Sequence, residues 1–238
     1  YATLLKNAGG CEAARLQYKE VLRLDPAASD ALNNMGSILK DQGKLEEAFE
    51  HFEKALAVDP EFVNAHSNML LDYHYHAHLD DTFLFEEHLR RAKALQRCDN
   101  PSAVTPATGV RTAERLRVGY ISPDFCRHSV AYFIEPMLEC HDHDNFEIFC
   151  YSDVKKDRED TYTVTMKHYA DSWRDIQGMA HQEVYNLIGN DGIDILIDLA
   201  GHTAHNRLPV FAAKAAPVQM SAIGYPNTTG LPEMDYRL

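Results

Sequence analysis

Side chains able to do chemistry gather in three short stretches of the second half of the chain. They are Ser122-Pro123-Asp124-Phe125-Cys126-Arg127-His128, Gly201-His202-Thr203 and Gly224-Tyr225-Pro226-Asn227-Thr228-Thr229-Gly230. Histidine is the side chain best suited to move a proton near neutral pH. Hydroxyls and the N–H groups of a tight turn can hold a polar ligand, or can only bind a loop to itself. His202 and Thr203 fit either use, lining a cleft or bonding loop backbone. Residues 225–230 read as a tight turn presenting backbone N–H groups, for a ligand or for the turn alone. A second gathering, His74, His76 and His78 with His66 upstream, suggests a metal. Alternating histidines meet one ion from a strand but not easily from a helix, and no cysteine or carboxylate cluster completes a ligand set. Packing and surface roles are therefore expected there, and no metal.

The elements that position these stretches follow from periodicity. The segment ending at Pro60 repeats the one ending at Pro26 with an offset of 34 residues. Leu32, Met35, Gly36, Leu39, Ala48, Phe52, Ala55 and Pro60 occupy the pattern positions of a tetratricopeptide repeat. Ala2, Leu5, Ala14, Tyr18, Val21 and Pro26 fall at equivalent offsets, and Gly9 matches Gly43 in the turn. Small residues at 36, 48 and 55 let two helices approach closely, and Asp-Pro ends the second. One such unit cannot bury its apolar face, so neighbours must stack. The first repeat is cut at its start, so more repeats are expected upstream. A third unit starts near Val63 and departs from the pattern, with Leu70 where the small residue belongs. It is expected to form a long helix, a break near Leu79-Asp80-Asp81 and a second helix that caps the solenoid. Asn33, Asn34, Asn64 and Asn68 lie on the repeat helices. There amides could clamp a peptide backbone or be ordinary surface polarity.

Residues 97–114 are rich in Pro, Ser, Thr and Ala without periodicity and read as a linker. Beyond it, buried strands are expected at 115–122, 146–152, 193–199 and 217–225, with a short extended piece at 173–176. Helices are expected at 129–141, 158–170, 179–190 and 207–214. This alternation indicates a parallel, doubly wound sheet. Ligands of such sheets bind beyond the carboxyl ends of the strands, where all three polar stretches fall. The domains are thus 1–96, repeats and capping helices; 97–114, linker; and 115–238, an α/β lobe. No G-x-G-x-x-G and no G-x-x-x-x-G-K-[ST] occurs, which disfavours a dinucleotide oxidoreductase or a P-loop enzyme.

Bulk properties exclude other classes. The chain has 238 residues, 45% of them hydrophobic, so a core can be buried. A formal net charge of -13 argues against phosphate-held nucleic-acid binding. Five cysteines, at 11, 98, 126, 140 and 150, form no C-x-x-C pair, which suits free thiols in a reducing compartment. No apolar run approaches the roughly 18–20 residues of a membrane helix.

RLRVGYISPDFCRHSVAYFIEP, ILIDLAGHTAHNRLPVF and APVQMSAIGYPNTTGLPEMDYR resemble the catalytic region of the O-GlcNAc transferase and SPINDLY proteins. The similarity runs from about residue 115 to the end, behind the repeats. The wording HSVAYFIE, GHTAHN and GYPNTTGLP is closer to the SPINDLY branch. The resemblance implies a tetratricopeptide α-solenoid followed by the first Rossmann-like half of a GT-B glycosyltransferase, the second half lying beyond Leu238. It places Asp124 and His128 in the D-F-x-x-H motif, whose histidine lies at the sugar–phosphate junction, and Gly224 near the donor sugar. Arg127, Ser129, Tyr225 and Pro226 stand beside these positions and are expected, with Gly224, to bind substrate. Arg127 and the Ser129-Val130 pair depart from the animal enzymes, which leaves the sugar open.

The implied reaction moves a sugar from a nucleotide diphosphate to a Ser or Thr hydroxyl, with inversion. His128 is the candidate base, with Asp124 as orienting partner or alternative base; the competing reading is a phosphate hydrogen bond or a loop-shaping role. No Asp-x-Asp signature stands in these loops, since Asp194 begins a strand and Asp80-Asp81 lies in the helical region. A metal-independent reaction with no cofactor is therefore expected. The donor is UDP-N-acetylglucosamine, or GDP-fucose as in the SPINDLY branch, and the acceptors are proteins or peptides bound by the repeats. A non-catalytic peptide-binding module is the competing class. Pairing of copies through the repeats is open, and no nucleic acid or membrane partner is expected. The thiols and the donor suggest a cytoplasmic location, with a nuclear pool in a eukaryote.

Overall fold

The computed structural model describes residues 10–95 and 115–238. Ala2, Leu5, Gly9, Cys98 and the linker at 97–114 lie outside the described residues. The chain divides into two compact units, Tyr1–Ala94 and Leu95–Leu238.

The first unit contains α1 (Cys11–Leu24), α2 (Ser29–Asp41), α3 (Leu45–Val58), α4 (Val63–Tyr73) and α5 (Asp81–Leu95). Its core is the predicted repeat face: Ala14, Tyr18, Met35, Leu39, Ala48 and Phe52 are buried together, and Leu32 packs with Ala55 and Ala65. Val21 is the exception and stays exposed. Gly43, at φ 75°, turns the chain between α2 and α3. At Gly36 a Cβ would stand 2.6 Å from the Phe52 ring and 3.0 Å from the Ala48 carbonyl oxygen, so glycine sets the close approach of α2 and α3.

The third unit shows what happens without that glycine. Leu70 holds the equivalent place and is fully buried, and α4 and α5 approach far less closely than α2 and α3. Leu84 of α5 joins the apolar cluster of Met69, Leu70 and Tyr73, and beside it the interface carries a polar seam. The Tyr73 hydroxyl donates to Glu87 (3.0 Å), Arg91 donates to the same carboxylate (2.9 Å) and to the Tyr73 oxygen (3.1 Å), and Arg90 donates to Glu87 (2.6 Å). Helix α4 ends at Tyr73, so His74, His76 and His78 lie in the turn that follows rather than in a long helix. His88, in α5, is buried, and that burial pushes its imidazole down to about 4.

The second unit contains β1 (Leu116–Ser122), α6 (Ser129–Glu139), β2 (Phe146–Ser152), α7 (Thr161–Tyr169), β3 (Ser172–Asp175), α8 (His181–Asp191), β4 (Ile195–Asp198), α9 (Leu208–Ala212), β5 (Val218–Ser221) and β6 (Tyr236–Arg237). All six strands are parallel, in the order β3-β2-β1-β4-β5-β6. Val118, Tyr120, Ile148, Cys150 and Ile197 from the sheet pack with Val130, Ile134 and Leu138 of α6. The order reverses direction at β1 and β4, whose carboxyl ends therefore flank the crevice where such sheets bind ligands. Three expected boundaries move for local reasons. The strand expected at 217–225 stops at Ser221, because Ile223 adopts φ 65°. Helix α7 starts only at Thr161, capped by Asp160. Helix α9 ends by Ala212, and Lys214 follows at φ 56°. The short strand β6 was not expected.

The polar seam makes a testable statement about acid. Burial works to raise the Glu87 carboxyl, but the donors of Arg90, Arg91 and Tyr73 override it and hold it at about 2. A folded value below the unfolded one gives stability that is present above the ordinary range near 4.5 and is lost as pH falls toward 2. Glu87→Gln should cost about 3 kcal/mol in urea unfolding at pH 7. The difference from the parent should vanish as the pH is lowered through that window.

Candidate functional site

The loop after β1 is held by anchors on both sides of its polar residues. Phe125 and Cys126 are buried, Phe125 lies 5.3 Å from the Trp173 ring, and its carbonyl accepts from the Thr163 hydroxyl (2.7 Å). Asp160 does two jobs. One oxygen caps α7 by accepting from Tyr162 and Thr163 N–H (2.9 and 3.2 Å), and the other accepts from Arg127 N–H (2.7 Å). This fixes the backbone that presents Asp124 and His128.

His128 is the N-cap of α6, and its Nδ1 accepts from Val130 N–H at 3.3 Å. The same nitrogen is 3.7 Å from Asp124 Oδ2, beyond hydrogen-bond reach. With Nδ1 used as an acceptor, the neutral ring carries its proton on Nε2. The expected orienting bond from Asp124 is thus not made; the backbone of α6 sets the ring instead. Burial pushes the Asp124 carboxyl up, opposed by the charges of His128, Arg158 and His205. Arg158 and His205 come from the segments after β2 and β4, so three strand ends meet around Asp124. Neither was singled out in the sequence, because only the sheet order brings them to Asp124. The Arg127 side chain is exposed, and Ser129 opens α6.

The other two stretches are built into one another. Gly201 has φ 55°, and a Cβ there would stand 2.2 Å from Tyr225 Cβ. A Cβ on Gly224 would stand 1.9 Å from the Leu199 carbonyl oxygen. Each loop therefore supplies a glycine where the other crosses it. Tyr225 is buried and meets the His202 ring edge-on at 5.2 Å. His202 is 1% exposed, and its Nε2–H donates to the Thr229 carbonyl (2.9 Å). These two residues pack beneath the loops, His202 in the loop-bonding role that the sequence left open and Tyr225 enclosed under it. Thr203 donates to the Ala200 carbonyl (2.9 Å), the loop-bonding alternative. The turn at 225–230 also uses its own donors. Thr228, Gly230 and Leu231 N–H groups bond the side chains of Asn227, Thr228 and Thr229, so they are not presented to a ligand. Pro226 is exposed, its carbonyl accepting from Arg237 (2.6 Å).

Two further residues hold this edge, and both escaped the sequence reading. Asp198, at the end of β4, is fully enclosed and accepts from Ala200 and Gly201 N–H (3.1 and 2.7 Å). Arg207 donates to both oxygens of Asp153 (2.9 and 3.1 Å) and to the carbonyls of Met179 (2.8 Å) and Ile176 (3.1 Å). Their partners lie in loops distant in sequence, so only an Asp-x-x-Gly turn signal at 198–201 was available to find one of them.

On the repeats, Asn33 is buried and accepts from Asn68 Nδ2 at 2.8 Å, joining the first helices of successive repeats. Asn34 donates to the Asp30 carbonyl of its own helix (2.8 Å), and Asn64 is exposed. Asn33 is thus an internal bridge, a correction to its placement on a peptide-binding surface. Among the described residues, no group of three or more His, Cys, Asp and Glu side chains is arranged to hold a metal ion. Cys11, Cys126, Cys140 and Cys150 are free thiols, and among the described residues no helix is long and apolar enough to cross a membrane.

Two outcomes are expected. Gly224→Ala should destabilise the second unit by about 3 kcal/mol or more in urea unfolding, because the clash is with backbone that cannot turn aside. Burial pushes the Asp198 carboxyl up to about 6 against the two N–H groups that favour its ionised form. A raised folded value gives stability that is complete below the ordinary 3.8 and is lost as pH rises through 6. The stability of Asp198→Asn relative to the parent should therefore improve by about 2–3 kcal/mol as pH rises across that window.

Known proteins share this architecture. The model of glycosyl transferase family 41 matches residues 86–238, and a tetratricopeptide repeat model matches residues 29–62. The family match begins inside α5, earlier than the resemblance near residue 115 placed it. The probable UDP-N-acetylglucosamine–peptide N-acetylglucosaminyltransferase SPINDLY of Arabidopsis thaliana is 42% identical over 179 residues, 74% of this chain and 19% of that protein. The UDP-N-acetylglucosamine–peptide N-acetylglucosaminyltransferase of Caenorhabditis elegans is 35% identical over 131 residues, 53% of this chain and 11% of that protein. A mutant of the Thermobaculum terrenum O-GlcNAc transferase superposes with a TM-score of 0.88 at 34% identity, over 99% of this chain and 45% of that one. The chain thus spans about a fifth of the length of the SPINDLY relatives it matches. With the family match running through α5 and the whole parallel sheet, the chain belongs to glycosyl transferase family 41.

Proposed function

We propose that this chain supplies acceptor-binding repeats and the first catalytic lobe of a protein O-glycosyltransferase. The enzyme transfers N-acetylglucosamine from UDP-N-acetylglucosamine to Ser or Thr hydroxyls of proteins, with inversion and without a metal or cofactor. The observation that carries the reading is the loop after β1. It sets Asp124, His128 and the start of α6 at the carboxyl edge of a parallel sheet, where its order reverses. The names of the relatives support the sugar and the class of acceptor. The higher identity to SPINDLY proteins than to the C. elegans enzyme keeps GDP-fucose as the donor to test against.

His128 acts in this reading as a hydrogen-bond donor through Nε2 to the departing phosphate, not as the base. Its Nδ1 bond to Val130 N–H supports that assignment. The negative charge of the leaving diphosphate is met further by the positive end of the α6 dipole and by the cations Arg127 and Arg158. Proteins or peptides bind the repeat helices, with Asn64 and the unbonded amide positions of Asn34 and Asn68 as contacts. A cytoplasmic enzyme with free thiols fits this chemistry, and no nucleic acid or membrane takes part.

The test is sugar transfer by the full-length protein to a Ser/Thr peptide library, each donor offered alone, with and without chelator. Transfer from UDP-N-acetylglucosamine that survives the chelator is expected. His128→Ala should lower kcat/KM by about 100-fold or more, whereas His128→Gln, which keeps an N–H donor, should stay within about tenfold of the parent. Equal losses in both variants would return His128 to the role of base. Transfer from GDP-fucose alone would change the sugar, and a folded protein inactive with both donors would leave a binding module.

A further inference from the structure

The wide spacing of α4 and α5 leaves a feature that the sugar-transfer reading does not use. Between α3, the turn after α4 and the start of α5 lies a groove of about 370 Å3, lined by Phe49, Tyr73, Phe83, His76, Glu46 and Glu50 among others. Apart from Tyr73, the last residue of α4, its lining stands on other elements than the asparagine-bearing helices α2 and α4.

The walls are aromatic. The Tyr73 ring lies 5.5 Å from Phe49 and 5.3 Å from Phe83, edge-on to the latter. The rim is rich in acceptors and holds no lysine or arginine. Glu46 is exposed and makes no ion pair among the described residues, and Glu50 has only the exposed Lys54 at 3.6 Å. His76 sits with Nε2 3.2 Å from Asp72 Oδ2, so the neutral ring donates there and keeps Nδ1 as an acceptor. His78 meets His76 edge-on at 5.7 Å. Behind His76, Asp72 is fully buried, and its second oxygen, Oδ1, has no hydrogen-bond partner. Burial pushes the Asp72 carboxyl up, against its hydrogen bond to His76 and the charges of His76 and Lys40.

These groups suit one kind of ligand. An anion would meet carboxylates, and a purely apolar side chain would leave them facing it. A long cation can lay its methylene stem and planar head on aromatic rings while its N–H groups reach the two glutamates. Guanidinium does this better than ammonium, because it stacks and can bond a carboxylate in a fork. We propose that this groove binds an arginine side chain of a partner protein, giving the repeats an attachment point that uses none of their asparagines.

The probe is a capped Gly-Gly-Arg-Gly-Gly peptide titrated into the full 238-residue chain at low salt and followed by NMR. The control peptide carries citrulline, the neutral isostere of arginine. Saturable shifts centred on Phe83, His76 and Glu50 are expected, with a Kd of about 1–10 mM, as befits one side chain. The citrulline peptide should bind at least about fivefold more weakly, and so should the arginine peptide to the Glu46→Gln/Glu50→Gln double variant. Both glutamates are exposed, so the double variant should keep the parent's folded spectrum. A second variant, Phe83→Ala, tests the aromatic wall without touching charge and should weaken binding similarly. Equal binding of arginine and citrulline peptides would overturn the proposal. So would the absence of shifts at these residues up to about 20 mM peptide.

Discussion

The ion pair of Arg207 with Asp153 organises the edge of the sheet on which the candidate site stands. Asp153 directly follows β2, and Arg207 directly precedes α9. The guanidinium also holds the Ile176 carbonyl at the end of β3 and the Met179 carbonyl ahead of α8. Three connections that would otherwise be independent loops are thereby tied to one side chain. A buried pair of this kind is a strong constraint because breaking it strands a charge. Its worth lies in the fork geometry, since an arginine can serve a carboxylate and two carbonyls together.

With that edge fixed, the remaining loops are determined by backbone contact. Gly201 and Gly224 let the segments after β4 and β5 cross with no side chain between them, and Asp198 draws the first of these segments inward. The cost appears beside them, at Ile223, a β-branched residue with φ 65°. Such a conformation persists only where the surroundings over-determine it, and these crossing loops do so. The loop after β1 obeys the same logic by other means. Buried Phe125 and Cys126 and the two-sided Asp160 leave only Asp124, Arg127 and His128 to be presented.

The repeats show the converse case, in which one missing glycine changes an interface. Gly36 allows a close, apolar contact of α2 with α3. Leu70 forbids it one repeat later, and the wider gap is filled by Tyr73, Glu87 and Arg91. Hydrogen bonds then replace close packing, and the aromatic and acidic groove opens beside the seam. A single repeat position thus separates a stacking unit from one that also offers a recess to a side chain.

The 34-residue period, the buried runs and the motifs at 122–128, 201–203 and 224–230 were all legible in the sequence. Each is a local signal: helix and strand periodicity, turn residues, and short motifs after strands. They specified repeats followed by a parallel sheet, and which loops lie at its carboxyl edge. The roles within those loops were not legible. Whether His128 meets Asp124 or the N–H of Val130, and whether His202 faces outward or bonds Thr229, depends on a few tenths of an ångström or on a partner 27 residues away. Asn33 reads as surface until Asn68 is found opposite it, and Asp160, Asp198 and Arg207 read as ordinary polar loop residues. Hydrogen bonds between segments far apart in sequence leave no periodic trace, so the tertiary structure alone decided which polar groups are spent on the fold and which remain for a ligand.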